Sequence, residues 1–314
     1  MIAYVARRLG SMLATMLVVG IVVFFVIHSV PGDVTSALLG QDATPAQIQA
    51  LRQRLQLDQP LPAQFVAWLG GVLTGDLGNS NYMRIPVIEA ISQRLEPTAM
   101  LALAATLVAV TLGVGLGALA AVRHNTAADY VVMFIAMLGL SLPTFWLGLL
   151  MIMLFAVNLN WLPAAGYASV TQAPLDTLRY LVMPAASLGF SQAAVIARMT
   201  RASMLDALRE DFVRTARSKG LPERRVVVRH ALRNAMMPVL TVIGLSIATL
   251  AGGVVVTETV FNIPGAGRLV IESVQRRDYP VLQGAVIVVA LVYAFINLLV
   301  DLSYLALDPR VRYS

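Results

Sequence analysis

The chain has 314 residues, 58% of them hydrophobic and 13% charged, with a formal net charge of +6 and no cysteine. Soluble domains carry about a quarter charged residues, so this composition belongs to an integral membrane protein and gives no reason to expect a nucleic-acid partner. The missing cysteines exclude disulfides, thiolate metal sites and cysteine nucleophiles.

Six apolar runs are long enough to span, at about 20 residues per crossing: Leu9–Val30, Thr98–Val122, Val131–Val157, Tyr180–Ala197, Met236–Thr257 and Val281–Leu307. Barrel-like alternation is missing, so the predicted fold is an all-α membrane protein of six transmembrane helices. With the N-terminus inside, fifteen Lys and Arg fall in cytoplasmic segments and eight outside; four of those eight lie in one long outer loop, where charge has little say. The predicted orientation is N-in, C-in. Residues 1–30 are a cytoplasmic start and first span, 31–97 an outer segment with short amphipathic helices, and 98–314 a core of five spans with a cytoplasmic loop at 198–238.

Arg7 and Arg8 precede the first span as they would a signal peptide. The run is longer than a usual signal core and no small-x-small site follows at His28–Pro31, so it is read as retained. His28 reads as an interfacial residue. In the outer segment Pro31–Asp33 breaks the helix, and Thr44-Pro45 is an N-cap followed by a first-turn proline. Ile48, Leu51 and Leu55 then face one side of a short helix. A proline-marked turn at Leu57–Pro62 leads into a second helix through Phe65, Trp68, Leu69 and Leu73, whose aromatics suit a membrane interface or a small packed domain.

In the second span Gly113, Gly115 and Gly117 indicate close helix packing rather than a phosphate loop, because no strand precedes them and no Lys-Ser/Thr follows. A short inner loop carries Arg123, His124 and Asp129. Ser141-Leu142-Pro143 predicts a kink in the third span. Asn158–Arg179 returns outside with Trp161, Tyr167 and Tyr180 near its boundaries. The fourth span carries Pro184 and Gly189, and the fifth Gly244, Gly252 and Gly253. Asp301 in the last span must face protein or water, and lies near enough to the inner end to snorkel.

The stretch Arg198–Pro238 departs from this apolar background, with ten Lys and Arg against Asp206, Glu210, Asp211 and Glu223. Leu205, Leu208, Phe212 and Thr215/Ala216 form the apolar stripe of a first helix. Lys219 suits its last turn, Gly220 can close it in the left-handed conformation, and Pro222 fits the first turn of a second helix. Basic loops often serve only as topology signals. Two phased helices around a Gly-Leu-Pro joint are more than that role needs, and predict a rigid basic elbow offered to a soluble partner.

The loop Glu258–Pro280 turns at Pro264-Gly265-Ala266-Gly267. Phe261, Ile263, Leu269 and Val270 are too apolar for a solvated loop, so it should fold back into the outer mouth. Glu258 and Asp278 are read as helix caps, or alternatively as partners for a solute's amino group.

Three of these regions resemble, in matching order and over nearly the whole chain, the dipeptide/oligopeptide and nickel permeases of ABC importers. The run DFVRTARSKG, Asp211–Gly220, resembles the family's EAA loop: Arg214, Thr215 and Ala216 occupy the triplet and Gly220 the glycine. The Glu of the general pattern is absent and the later proline lies further along, as in the peptide-transporter branch. Leu57–Ser80 resembles the LDQPLPxQ…WL…GDLG run of the outer segment. Glu258, Phe261, Pro264, Gly265, Gly267, Leu269, Asp278, Pro280 and Gly284 match E…F…PGxGxL…DxP…G.

The resemblance implies a type I ABC importer fold and uptake of di- or oligopeptides, glutathione or a nickel chelate. The partners implied are a second homologous permease subunit, ABC ATPase subunits, an extracytoplasmic solute-binding protein and the lipid of a bacterial inner membrane. It places Asp211, Phe212, Arg214, Thr215, Ala216, Lys219 and Gly220 against the ATPase. It places Glu258, Phe261, Pro264, Gly265, Gly267 and Asp278 by the outer gate and solute path. The outer segment is then either a structural cap or part of the binding protein's docking surface.

No G-x-x-x-x-G-K-[ST], HExxH or G-x-S-x-G occurs. No cofactor, metal or catalytic role is therefore expected on this chain, and ATP and Mg2+ are expected on partner ATPases. A secondary transporter and an intramembrane enzyme are the rival readings. Nothing in the second half looks like an inverted copy of the first, and no pair of intramembrane acids suggests a proton relay.

Overall fold

The computed structural model describes residues 2–29, 44–54 and 58–307. Val30–Asp33, Leu55 and Leu57, and the side chains of Leu51, Gly252 and Asp301, lie outside the described residues. The described chain is mostly helical: α1 (Ile2–Ser29), α2 (Pro45–Arg54), α3 (Leu61–Thr74), α4 (Val87–Val122), α5 (Ala127–Ser141), α6 (Thr144–Met151), α7 (Pro174–Arg209), α8 (Asp211–Ser218), α9 (Arg233–Val260), α10 (Ala266–Gln275) and α11 (Tyr279–Leu307). Among the described residues there is no strand, only an isolated bridge between Asn79 and Pro86. Five helices are long and apolar enough to cross a membrane, or six spans if the bent pair α5 and α6 counts as one.

The chain divides into two compact units, Met1–Glu96 with Gly265–Phe295, and Pro97–Pro264 with Ile296–Ser314. In the first unit, α2 starts on a reciprocal cap. The Thr44 backbone N–H donates to Gln47 Oε1 at 2.9 Å and the Gln47 N–H donates back to Thr44 Oγ1. Helix α3 lies along α1, with Phe65 and Trp68 meeting Phe24 at ring separations of 5.3 and 5.6 Å. The Trp68 ring also lies beside Gly20. The aromatics of the outer segment thus pack on the first span, and His28 stacks on Phe24 within the same group.

Val87, Ile91, Leu269, Val281 and Ala285 form a second core in this unit. A Cβ on Gly284 would come within 2.5 Å of Val87, so only glycine lets α11 approach α4 there. The segment expected as a turn and folded-back loop after Pro264 is helix α10. Gly265 is its extended N-cap, Ala266, Leu269 and Ser273 are buried on one face, and Arg268 pairs with Glu272 at 2.7 Å on the other. This is an amphipathic stripe that the flanking Pro-Gly and Asp-Tyr-Pro breaks concealed.

In the second unit α7 is central, packing against α5, α6 and α9. Its Leu181, Met183 and Leu188 join Leu101, Leu250, Phe261 and Ile263 in the largest core. The glycines of the second span behave as the packing reading requires, but only two of the three are used. Cβ atoms on Gly113 and Gly117 would lie 2.6 Å from Ile196 Cβ and 2.5 Å from the Ala197 carbonyl oxygen, whereas Gly115 has nothing within 4 Å. The motif is therefore Gly-x-x-x-Gly, one turn apart on the α7 face. Gly117→Ala should destabilise the folded permease by about 1–3 kcal/mol. Gly115→Ala should be neutral or slightly stabilising, since it removes only backbone freedom. Thermal unfolding of the two purified variants separates them.

The kink expected inside Val131–Val157 is a break. Leu142 (φ −84°, ψ 128°) and Pro143 (ψ 133°) are extended, and the helices on either side diverge by 105°. Proline forces its predecessor out of the helical region, and two consecutive non-helical residues turn the chain where one proline alone would bend it. Beyond α6 the coil widens into π-helical turns at Ile152–Asn158.

Candidate functional site

The basic elbow is three pieces rather than two helices. Helix α7 continues through Arg198 to Arg209, Glu210 is extended (φ −69°, ψ 150°), and α8 follows as Asp211–Ser218. The single stripe expected through Leu205, Leu208, Phe212 and Thr215/Ala216 is therefore corrected, although Ala216 is buried as that stripe required. Met204 and Ala207 on α7 and Val213 and Ala216 on α8 are all buried in one cluster with Ala121, Val226, Ala231 and Ala235. On a straight helix Met204 and Val213, nine residues apart, would point about half a turn away from one another. The break at Glu210 brings both inward. Leu205 and Leu208 pack at the edge of this cluster.

What α8 turns outward is polar with one aromatic: Asp211, Arg214, Thr215 and Ser218 are exposed, and Phe212 is 38% exposed. Lys219 closes the helix. The Gly220 N–H donates to the Arg217 carbonyl and the Leu221 N–H to the Ala216 carbonyl, the paired bonds of a Schellman end. Gly220 sits at φ +73° with nothing within 4 Å of a would-be Cβ. The position needs glycine for its backbone and not for space. Pro222 is the residue before the next helix rather than inside its first turn. That helix begins at Glu223–Arg225, widens into π-helical turns over Val226–Leu232 and runs on as α9.

Arg217 reaches across the turn to Glu223, with donor distances of 2.6 and 3.1 Å. This bonding raises the Arg217 guanidinium above its ordinary value and lowers the Glu223 carboxyl below its own. Asp211 and Arg214 make a looser exposed pair at 3.4 Å. Thr215 Oγ1 donates to the Asp211 carbonyl.

Sequence reasoning missed the ion pair behind the elbow. Arg201, near the end of α7, holds Asp129, in the first turn of α5, through two donors at 2.6 and 2.7 Å. Asp129 is 1% exposed. It also accepts from the Asn125 backbone N–H at 3.1 Å, and Arg201 reaches His124 Nδ1 at 3.2 Å. The one available signal was an acid at the edge of an apolar run, which must find a partner.

The six gate residues expected in the Glu258–Pro280 segment are buried, Pro264 only partly. Glu258 is buried in the last turn of α9, and Thr98 Oγ1 donates to its Oε1 at 2.5 Å. Phe261 is buried against Gly148, whose Cβ would meet its ring at 2.9 Å, and its carbonyl accepts from the Gly166 N–H at 2.9 Å. Pro264 is half-buried, and Gly265 and Gly267 are buried at the start of α10. Asp278 is buried immediately before α11. Its carboxylate takes Ser80 Oγ at 2.5 Å and the backbone N–H groups of Asn81 and Tyr82 at 3.1 and 3.3 Å, which fixes the turn leading to α4.

The described chain is thus a set of long apolar helices with an exposed, polar elbow between two of them. Residues 113–313 match the family described as "Binding-protein-dependent transport system inner membrane component", and residues 1–102 match its N-terminal companion. The chain belongs to this family: it is a permease subunit of an ABC importer, a multi-pass protein of the bacterial inner membrane. It is 44% identical over 310 residues to a probable peptide ABC transporter permease protein, y4tP, of Sinorhizobium fredii, covering 99% of each chain. It is also 44% identical over 313 residues to the glutathione transport system permease protein GsiC of Pectobacterium atrosepticum, covering 100% of each. A solved structure of the MetNI methionine ABC transporter, in an inward-facing form, matches with a TM-score of 0.55 at 18% identity over 68% of this chain and 93% of that one. That likeness is one of fold. Membership implies ATPase and substrate-binding partners.

Proposed function

We propose that the chain forms, with a second homologous permease subunit, the pathway by which di- or oligopeptides enter the cell at the expense of ATP bound with Mg2+ on partner ATPases. The orientation is N-in, C-in with six crossings in lipid, α5 and α6 making one of them, which puts the elbow in the cytoplasm. The observation that carries the coupling role is the two-sided build of α8. Val213 and Ala216 lock it to the ends of α4, α7 and α9, and Phe212, Arg214, Thr215 and Lys219 face away from the protein. Phe212 supplies an apolar anchor for a groove on the ATPase, ringed by charges that set its register. A push on α8 reaches α7 and α9 through the buried residues. Two relatives of equal identity carry peptide and glutathione transport in their names. Glutathione is itself a tripeptide, so a small peptide is the substrate class common to both.

The chain has no native cysteine, so Thr215→Cys carries a single thiol. A short thiol-to-amine cross-linker applied to native membranes should join it to an ABC ATPase, identified by mass spectrometry. Adducts to lipid alone, in a complex shown to be intact, would return the elbow to a topology signal. ATP-independent, ion-driven uptake in proteoliposomes would point to a secondary transporter instead.

A further inference from the structure

The segment between α6 and α7 walls a cavity of about 490 Å3, lined by residues that include Trp161, Tyr167, Asp176, Arg179 and Tyr180. Its walls are held. The Trp161 N–H donates to the Phe155 carbonyl at 2.9 Å, Gly166 is pinned to Phe261, and Thr177 Oγ1 donates to the Ala168 carbonyl at 2.8 Å. Asn160 (φ 53°) and Gly166 (φ 112°) make the turns that close the loop. Trp161 leans on Phe155 with 6.1 Å between ring centroids and remains 62% exposed. Tyr180 packs on Gly166, where a Cβ would come within 3.2 Å of its ring.

The charges in this cavity are not used in side-chain bonds, although Asp176 suits the first turn of α7. Asp176 and Arg179 are exposed, three residues apart on one face of α7, and among the described residues neither has a side-chain hydrogen bond or ion pair, not even with the other. Residues at that spacing have Cβ atoms about 5–6 Å apart, close to the span of two extended residues, roughly 7 Å. A fixed aromatic wall with one free carboxylate and one free guanidinium complements a small zwitterion: an ammonium for Asp176, a carboxylate for Arg179, and a side chain or peptide plane against Trp161 and Tyr180. The volume lies in the small-molecule range of roughly 300–1,000 Å3, and the concavity argues for a ligand rather than a flat protein face.

We infer that this cavity is a receiving site for a short zwitterionic peptide on the outer face, occupied before passage. The inference rests on the peptide-import reading, which puts this loop outside. Through the Gly166–Phe261 bond the loop is tied to the segment after α9, so an occupied cavity and the outer end of α9 share a backbone contact.

The test uses the whole transporter in nanodiscs, with partner permease, ATPases and binding protein, and the photoreactive dipeptide p-benzoylphenylalanyl-alanine as probe. The probe should label residues within Asn160–Tyr180. Its N-acetylated, C-amidated form should label about tenfold less, as should Asp176→Asn combined with Arg179→Gln, because charge-assisted bonds are the strong ones. Both side chains are exposed and unpaired, so these variants should fold normally. Labelling that is absent from the loop, or indifferent to probe charge and to the variants, would overturn the inference. So would variants that weaken binding-protein docking while labelling stays constant, since the cavity would then seat a protein side chain. ATP-dependent dialanine uptake by the wild type checks the import reading separately, and the labelling pattern reads the cavity whichever way uptake falls.

Discussion

Gly220→Val inserts and folds but loses at least about nine-tenths of ATP-dependent uptake, while ATP hydrolysis by the complex continues. The argument is conformational. At φ +73° a β-branched residue is a backbone outlier, and holding it there costs about 1–3 kcal/mol. No neighbour lies within 4 Å of the new Cβ, so the cost cannot be attributed to a clash. It is relieved by letting the Schellman end of α8 unwind, which frees Arg217 from Glu223 and loosens the turn between α8 and the helix that becomes α9. Gly220→Asn supplies the control: asparagine visits the left-handed region readily and should keep most of the uptake. A Val variant that transports normally, or an Asn variant as defective as Val, would remove the joint from the coupling path.

The joint was legible in the sequence because glycine and proline chemistry is local. Lys219-Gly220-Leu221-Pro222 carries its turn within four residues, and Thr44 to Gln47 does the same for a cap. Gly113 and Gly117 declared close packing through spacing alone, although the idle Gly115 could be told from them only by seeing α7. The break at Glu210 left no such mark. Arg-Glu-Asp contains neither glycine nor proline, and the chain bends there because Met204 and Val213 share one core, a tertiary demand that overrides a strong helical pattern. Helix α10 was hidden for the opposite reason, since the Pro-Gly and Asp-Tyr-Pro signals at its ends are true and the amphipathic stripe between them is only ten residues long. At Pro143 the sequence fits a mild kink as well as a sharp break, and the extended conformation of Leu142 decides between them.

Glu258 and Asp278 mark a different limit. A carboxylate flanking an apolar segment reads as a cap or as a ligand for an amino group, and both readings assume that it faces its own helix or the solute. Each is buried and tied to a side chain far away in sequence, Thr98 and Ser80 respectively. Their work in this conformation is to join segments. The free charges, Asp176 and Arg179, lie in the segment that sequence reasoning treated as a plain connection. Whether a charged group is free is a property of its neighbours, which no local pattern records.

Breaking the Asp129–Arg201 pair should be the most destabilising single change in the second unit. Removing one partner of a buried ion pair costs about 3–5 kcal/mol, because the other is left charged and unpaired. The two deletions should not be equal. Asp129 is 1% exposed and Arg201 is 24% exposed at its side chain, so an orphaned Arg201 can turn its guanidinium to water while an orphaned Asp129 cannot. Arg201→Met therefore falls at the upper end of that range and Asp129→Leu at the lower. His124, whose Nδ1 lies 3.2 Å from both Arg201 and Asp129, does not rescue Arg201→Met fully, because one ring nitrogen cannot replace two guanidinium donors. The double variant Asp129→Leu/Arg201→Met removes both charges and should regain most of the loss, as apolar replacements of buried pairs often do. Thermal unfolding of the four proteins in one detergent closes the cycle. A coupling energy near zero, or a double variant worse than Arg201→Met, would mean that the pair does not hold the start of α5 against the end of α7. If it does hold them, the double variant should also transport, because under the proposed coupling the elbow acts through Val213, Ala216 and Gly220 and needs from Asp129 and Arg201 only a firm base.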